Sequence, residues 1–191
     1  LLGNLYDFEP EKIAESDLNP TELDRYIRHL TQKLVQRVQK AYEDFNFHMI
    51  YQEINRFCTV DLSSFYLDIL KDRLYVSKAS DPKRRAAQAV LFETVSILAR
   101  LMAPFLSFTA EEIWSCIPGF SGKAASVHLA SFPHPVTAYL DEGLAGRWER
   151  FRLIRNDVMK GLEKARAAKL IGGSLEAKVL FAADGEAEQV L

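Results

Sequence analysis

The chain has 191 residues, of which 48% are hydrophobic and 26% charged, and its formal net charge is −2 at pH 7. This composition is typical of a globular protein with a substantial core, and it excludes low-complexity and repeat classes. The longest apolar stretch, residues 95–108, is too short to span a bilayer and contains Arg100, so we expect no membrane segment.

The first predicted helix begins near residue 19. Asn19 is expected as its N-cap and Pro20 as its first helical residue, because these residue types favour those positions. Apolar residues then recur every three or four positions from Leu23 to Phe45, which predicts one buried stripe. Three basic residues are expected on the flank of that stripe: Lys33, Arg37 and Lys40.

Four more helices are predicted in the next part of the chain. One covers residues 45–57, a second covers 61–75 with Asp61 as its cap, and a third begins at Pro82, capped by Ser80 or Asp81, and ends at Pro104. A short fifth helix is expected after Thr109, which forms a capping box with Glu112. Aromatic residues at helical spacing are expected in the core: Phe45, Phe47, Tyr51, Phe57, Phe65 and Tyr66.

The second half of the chain is punctuated by Gly, Pro and Ser over residues 118–140, with a short strand predicted at 126–132. A long helix follows over 141–171, and residues 174–183 alternate in the manner of a strand. The predicted fold class is therefore mostly α, a helical bundle with a small truncated α/β tail. The predicted division is a bundle at 1–140, a connecting helix at 141–171 and the start of a C-terminal module at 172–191.

The sequence signals for a catalytic or a metal-binding site are weak. Asp68 and Asp72 form a carboxylate pair four residues apart, but Lys71 offers a surface ion pair that accounts for them without chemistry. The four histidines are scattered, and His128 with His134 lacks a third ligand at a familiar spacing. We expect neither a catalytic residue nor a metal site in this chain.

Basic residues concentrate at residues 71–85, where six cationic side chains accompany two acidic ones. Five of them end one predicted helix or begin the next: Lys71, Arg73, Lys83, Arg84 and Arg85. Cations in a first helical turn oppose the helix macrodipole, so this placement needs another reason. An external polyanion such as a phosphate backbone is one reason. Pairing with the acidic N-terminal segment, residues 1–24, is the other, and the residues alone leave both open.

Eight segments stand in order along the chain: "LLGNLYDF", "LDRYI", "AYEDFNFH", "INRFCTVDLSSFYLDILKDRLY", "RRAAQAVLFE", "LMAPFLSFTAEEIW", "VHLASFP" and "EKARAAKLIGGSLEAKV". Together they resemble the C-terminal half of the bacterial isoleucyl-tRNA synthetase family. The segments "FCTVDLSSFYLDILKDRLY" and "IGGSLEA" are more specific to that family than to its valyl and leucyl relatives. The resemblance extends over essentially the whole chain.

The resemblance implies the anticodon-binding domain of a class I aminoacyl-tRNA synthetase, a cytoplasmic ligase of protein biosynthesis that joins isoleucine to its tRNA using ATP and Mg²⁺. No HIGH-like or KMSKS-like sequence occurs, so the chain is expected to be a fragment that is not catalytic alone and holds no cofactor. The family's zinc element is expected beyond residue 191. The implied partners are isoleucine tRNA and the missing catalytic and editing domains, in a monomeric enzyme.

In this interpretation basic side chains contact phosphates of the anticodon stem, while unpaired bases stack on aromatic rings. The expected phosphate contacts are Lys71, Arg73, Lys83, Arg84 and Arg85, then Lys33, Arg37 and Lys40, and further along Arg152, Arg155 and Lys164. Tyr75 is the candidate for stacking.

Three alternatives remain open at this stage. The chain could be a valyl- or leucyl-type synthetase domain. It could be an intramolecular packing module, its basic residues neutralised by the missing catalytic half. It could also be a free-standing helical domain that binds other proteins through an exposed apolar stripe.

Overall fold

The structure is a computed structural model that describes residues 1–14, 18–173 and 176–180. Its α-helices are α1 (Glu22–Glu43), α2 (Phe47–Arg56), α3 (Leu67–Ile69), α4 (Lys71–Tyr75), α5 (Pro82–Met102), α6 (Ser107–Cys116) and α7 (Glu142–Ala167). A π-helix, Phe57–Tyr66, joins α2 to α3, and 3₁₀ helices lie at Leu2–Leu5, Pro10–Lys12, Val127–Leu129 and Thr137–Tyr139. The described residues contain no strand, which confirms the mostly α class.

Helix α1 begins two residues later than the sequence predicts, because Thr21 rather than Asn19 is its N-cap. The backbone N–H and the hydroxyl of Thr21 both donate to Oδ2 of Asp24 at 2.8 Å. The backbone N–H of Asp24 donates back to the Thr21 hydroxyl at 3.4 Å, which completes a capping box. The acid of this box lies at the third helical position and is fully buried, which no helical pattern had indicated.

The bundle forms around α1 and α5. Helix α1 packs against α2 and α5, and α5 packs in turn against α6 and the N-terminal 3₁₀ helix. The largest fully buried side chains include Tyr26, Tyr66, Phe57, Phe65 and Leu34. The prediction that Phe57, Phe65 and Tyr66 lie in the core is therefore confirmed.

The prediction was wrong for Phe45, in the turn between α1 and α2, and for Phe47 and Tyr51 on α2, which are all exposed. The reason is that α1 ends at Glu43, so Phe45 no longer continues its stripe. Phe45 has φ 55°, a left-handed conformation that usually belongs to glycine after a helix, and its side chain is 78% exposed. Its ring meets the ring of Phe47 edge-on, with centroids 6.3 Å apart.

Two helix boundaries between residues 57 and 82 show one wrong prediction and one correct prediction. Asp61 was expected to cap a new helix, but it is buried inside the continuous π-helix and lies 3.2 Å from Nη2 of Arg56. Asp81 does cap α5, accepting hydrogen bonds from the backbone N–H groups of Lys83 and Arg84, and Pro82 is the first helical residue. Helix α5 ends at Met102, just before Pro104, as predicted.

The elements after α5 differ from prediction in two places. Helix α6 starts at Ser107, so Thr109 is not its cap. The segment expected to be a strand instead contains a 3₁₀ helix, Val127–Leu129, capped by Ser126. Oε2 of Glu111 accepts hydrogen bonds from the Ser126 hydroxyl at 2.8 Å and from the Val127 N–H at 2.9 Å, which fixes this segment against α6.

The chain divides into two compact units, Leu1–Leu140 and Asp141–Leu191. In the second unit Asp141 caps α7 by accepting from the Leu144 N–H at 2.8 Å. The strand predicted at 174–183 lies largely outside the described residues, and its described part, 176–180, is not a strand. Within the described residues no helix is both long and apolar enough to cross a membrane.

Candidate nucleic-acid interface

The residues 71–85 form what we call the basic corner: helix α4, the turn at residues 76–81, and the first turn of α5. Asp81 shapes it, because its Oδ1 accepts from the N–H groups of Lys83 at 2.8 Å and Arg84 at 3.0 Å. This cap satisfies two backbone N–H groups that have no partner within α5. Its negative charge also offsets the unfavourable placement of cations in the first turn of the helix. Helices α4 and α5 are in contact, so the basic residues of both ends lie close together.

Arg84 is turned into the protein. Its side chain is only 4% exposed, and Nη2 lies 2.9 Å from Oδ2 of Asp7 and 3.2 Å from the Tyr6 hydroxyl. Arg85 also contacts Asp7. Its Nη1 donates to the Asp7 carbonyl at 2.6 Å and to Oε1 of Gln88 at 2.9 Å. These two guanidinium groups therefore bind the N-terminal segment.

Gln88 completes this junction by donating from Nε2 to the Asn4 carbonyl at 2.8 Å and to Oδ1 of Asp7 at 2.7 Å. Burial acts to raise the pKa of Asp7, but the Gln88 hydrogen bond and the charges of Arg85 and Arg84 outweigh it, so the pKa lies below its ordinary value. Asp7 is thus an internal counter-ion, and the pairing with acids of the N-terminal segment that the residues had left open is what the structure shows for these two arginines.

Arg73 also has an internal partner. Its Nη1 lies 2.8 Å from both carboxylate oxygens of Asp24, and its Nη2 donates to the Thr21 hydroxyl at 3.3 Å. The hydroxyl of Tyr66 donates to Oδ1 of the same aspartate at 2.8 Å. Burial, followed by the charge of Asp24, raises the pKa of Tyr66 well above its ordinary value. Arg73 is accordingly part of the bundle's internal polar network.

The lysines of the basic corner are exposed. Nζ of Lys71 lies 2.8 Å from Oδ1 of Asp68 in a surface pair three residues apart. Over the described ranges, the ammonium groups of Lys78 and Lys83 make no hydrogen bond or ion pair to the protein. Between Lys71 and Lys78 in the chain, Tyr75 is 72% exposed and Val76 is exposed beside it. Three cations and one aromatic ring thus face solvent at this corner.

Lys78 had not been singled out from the sequence, although it lies within the basic stretch. The signal that distinguishes it is its position in the turn rather than in a helix; Asp81, three positions on, uses its side chain to cap α5. Position on α5 distinguishes Lys83 from Arg84. Lys83 is exposed to solvent, whereas Arg84 lies on the buried face of the helix.

The remaining predicted contacts on α1 each have an acidic neighbour or another interaction. Nε of Arg37 lies 2.8 Å from Oε2 of Glu53, and Lys33 is half-buried and also makes an interaction. Nζ of Lys40 lies 2.6 Å from Oδ1 of Asp44, and this hydrogen bond raises the pKa of Lys40. The flank of α1 is therefore a mixed-charge surface.

The predicted residues of the second unit lie along α7. Lys164 is exposed, whereas Arg152 and Arg155 are half-buried and both make interactions. They form no part of the basic corner as defined here. No group of three or more His, Cys, Asp or Glu residues able to hold a metal ion occurs among the described residues.

Comparison with known proteins gives a family and close relatives. The family of anticodon-binding domains of tRNA ligases matches residues 24–181. The isoleucine–tRNA ligase of Moorella thermoacetica is 44% identical over 191 residues, and that of Geobacter sulfurreducens is 47% identical over 184 residues. These matches cover 100% and 96% of this chain but only 20% of each relative, so the chain spans about a fifth of their length.

Proposed function

The chain belongs to the family of anticodon-binding domains of tRNA ligases, and on that premise we propose that it binds the anticodon stem and loop of an isoleucine tRNA as part of an isoleucine–tRNA ligase. The observation that carries the proposal is the family match over residues 24–181, together with the identity of 44–47% to isoleucine–tRNA ligases of three bacteria. In the whole ligase, ATP-dependent joining of isoleucine to tRNA belongs to regions outside this chain.

The basic corner is the proposed phosphate-binding surface, with Lys71, Lys78 and Lys83 as its contacts. Exposed lysines without a buried partner can approach a phosphate backbone and release its counter-ions without first breaking an internal bond. We assign no direct contact to Arg73, Arg84 and Arg85, since each is paired with a partly or fully buried carboxylate that it would have to leave. Their role is to hold the corner in shape.

Tyr75 is the proposed stacking residue. An exposed ring between cations matches the pairing of aromatic side chains with basic residues that single-stranded nucleic acids use. Unpaired anticodon bases present their faces in this way, whereas the paired stem presents phosphates. We therefore assign the phosphate contacts of the stem to the three lysines and the stacking of an unpaired loop base to Tyr75.

The protein would act as a monomer in the cytoplasm, where tRNA charging for translation takes place. A second candidate function is binding of another protein or of the missing part of the ligase. It is favoured by the exposed aromatic residues Phe45, in the turn before α2, and Phe47 and Tyr51 on α2. This surface is separate in sequence from the basic corner, so the two functions can be tested apart.

The test is fluorescence-anisotropy binding of the chain to an isoleucine-tRNA anticodon stem-loop over a range of salt concentrations, with a valine-tRNA stem-loop as competitor. Three phosphate contacts should give a linear fall of log affinity with log salt, with a slope of about two to three. Preference for the isoleucine loop would support base reading by this chain. Absence of binding at low salt would reject the proposal in favour of the second candidate.

A further inference from the structure

A cavity of about 440 Å³ opens between α5, α6 and the loop that follows α6. Its volume falls within the range of small-molecule sites. Its lining includes three aromatic residues, Phe92, Trp114 and Phe120, together with Arg100 and Ser131. None belongs to the basic corner or to the proposed RNA contacts.

One wall of the cavity is a fixed array of aromatic rings. The ring of Phe120 meets Phe92 edge-on, with centroids 5.5 Å apart, and meets Trp114 edge-on at 6.1 Å. Nε1 of Trp114 donates to the Ala124 carbonyl at 2.9 Å, which anchors the indole to the loop. Because the rings hold one another in place, the wall is preorganised to receive an apolar or aromatic body.

Arg100 supplies an unbalanced positive charge beside this wall. Its Nε donates to the Ser96 carbonyl at 3.0 Å and its Nη1 approaches the Ser131 carbonyl at 3.4 Å, but no carboxylate among the described residues pairs with it. Glu93, which also lines the cavity, already accepts hydrogen bonds from Nε and Nη2 of Arg28 at 2.8 and 2.7 Å. Burial lowers the pKa of Arg100, which reflects the missing counter-ion.

A half-buried guanidinium without a carboxylate differs from the other arginines of the bundle. Arg28, Arg73 and Arg84 each have a buried or half-buried acid at hydrogen-bond distance. A desolvated cation facing a cavity is stabilised by an anion that enters it, and the planar guanidinium suits a carboxylate best. Arg100 is the cation among the described residues that line the cavity, while Lys123 lies outside the lining with its Nζ 5.7 Å from the centroid of the Trp114 ring. The single charge within the lining balances a monoanion, whereas a dianion would keep a charge without a partner in a mostly apolar site.

We propose that this cavity, the Arg100 pocket, binds a carboxylate carried on an aromatic or apolar body, with Arg100 contacting the carboxylate and the rings of Phe92, Trp114 and Phe120 contacting the body. The carboxylate can belong to a free small molecule or to the C-terminus of a peptide, since both present the same group. This binding is independent of RNA.

The test follows the indole N–H signals of the chain's two tryptophans, Trp114 and Trp148, in proton–nitrogen correlation spectra. The variant Trp148→Phe assigns them, and Trp148 serves as the internal control because it does not line the pocket. The probes are 3-phenylpropanoate and 3-phenylpropan-1-ol, which share the phenyl ring and chain length and differ in the head group, a charged carboxylate against a neutral hydroxymethyl group. We expect a saturable shift of the Trp114 signal alone, with the acid binding at least about tenfold more tightly than the alcohol.

Two variants and one control separate the contributions. Arg100→Gln should bring the acid down to the affinity of the alcohol, while Arg150→Gln, at an exposed arginine of α7, should leave the preference intact. Ala130→Leu, at another residue that lines the cavity, should weaken both probes by filling it. Equal binding of acid and alcohol, an unchanged preference in Arg100→Gln, or no saturable shift would each overturn the proposal.

A third probe distinguishes the sources of the carboxylate. Acetyl-Ala-Ala-Phe with a free C-terminus should bind more tightly than 3-phenylpropanoate if the natural ligand is a peptide end, and less tightly if it is a small molecule. The corresponding C-terminal amide should lose the interaction in either case, and retention of its affinity would overturn the role of the carboxylate.

Discussion

Nη1 of Arg73 lies 2.8 Å from both carboxylate oxygens of Asp24, an aspartate with no exposed surface. This contact joins the end of α4 to the first turn of α1, and the same carboxylate accepts from the hydroxyls of Thr21 and Tyr66. An acid that caps a helix, pairs with a cation and accepts from a buried phenol connects three elements at once. Such a carboxylate is costly to replace, because the buried Tyr66 hydroxyl and the largely buried Arg73 guanidinium would lose their charged acceptor.

We predict that Asp24→Asn lowers the free energy of unfolding by about 3–5 kcal/mol, since it leaves the Arg73 guanidinium with a neutral partner at a buried site. Asp68→Asn removes a carboxylate from the exposed pair with Lys71 and is the matched control, with an expected change within about 0.5 kcal/mol. Urea unfolding followed by circular dichroism measures both. Similar losses in the two variants would show that Asp24 is not a structural hub.

Substitutions at two neighbouring cations of α5, Lys83 and Arg84, should have different effects on stability and on RNA binding. Arg84→Gln should cost about 2 kcal/mol of unfolding free energy, because it breaks a buried charged contact with Asp7. Lys83→Gln should change stability by less than about 0.5 kcal/mol but reduce the salt slope of stem-loop binding by about one. Unfolding and anisotropy measurements on the same preparations check this. The phosphate contacts implied by the family resemblance predict weaker RNA binding for both variants, and equal losses of affinity would support direct contact by Arg84 as well.

We predict that Tyr75→Ala weakens anticodon stem-loop binding by about tenfold, in line with the contribution of one base stacked on one aromatic ring. The ring is exposed, so the free energy of unfolding should stay within about 0.5 kcal/mol of the parent. Tyr75→Trp retains a stacking surface and should bind at least as well as the parent. If Tyr75→Trp loses as much affinity as Tyr75→Ala, stacking is the wrong account of this residue.

The left-handed backbone at Phe45 should be measurable as strain. At φ 55° a side chain is unfavourable, so Phe45→Gly should be about 1 kcal/mol more stable than Phe45→Ala. Both variants lose the contact with the Phe47 ring, so the difference between them isolates the backbone contribution. Thermal and urea unfolding of the pair provide the comparison. Phe45→Ala as stable as Phe45→Gly would show that this turn is not strained.

The stability of the bundle should fall at alkaline pH in part through Tyr42. Its hydroxyl donates to the Leu101 carbonyl at 2.9 Å, and burial raises its pKa from 10.0 to about 12. Because the folded pKa is the higher one, the neutral phenol stabilises the fold fully below the unfolded value, and this contribution disappears as pH rises from about 10 to about 12.

Tyr42→Phe tests that window. At pH 8 the variant should be about 1 kcal/mol less stable than the parent, because the hydrogen bond is lost. The difference should shrink and then change sign as the pH rises from about 10 toward 12, because ionisation of Tyr42 in the unfolded state favours unfolding of the parent and has no counterpart in the variant. A constant difference across the range would argue against ionisation of Tyr42.

Much of the fold was predictable because it depends on local patterns. The stripe from Leu23 to Val38 predicted the buried face of α1, and Asp81 with Pro82 predicted the start of α5, since a capping side chain and a proline act within one turn. The π-helix at Phe57–Tyr66 was not predictable, because its residues also fit helical spacing and the wider turn arises from packing.

The candidate site was predictable in position but not in detail. Charge density located the basic corner, and the acids of the N-terminal segment indicated an internal counter-ion without identifying Asp7. Whether a cation faces Asp7 or solvent depends on which side of α5 it occupies, and that is decided by tertiary contacts. Arg73 shows the same limit, because a fully buried Asp24 could not be inferred from a capping pattern alone.

The attachment of the N-terminal segment to α5 has a consequence for where the domain begins. Leu5 and Phe8 are buried, and Asp7 and Asn4 accept hydrogen bonds from Arg84, Arg85 and Gln88. The family match starts only at residue 24. A chain that began at residue 24 would lose the buried side chains of Leu5 and Phe8, and the surface of α5 beneath them would be exposed. It would also leave Arg84 without the carboxylate of Asp7. The physical boundary of this domain therefore lies upstream of its evolutionary signature.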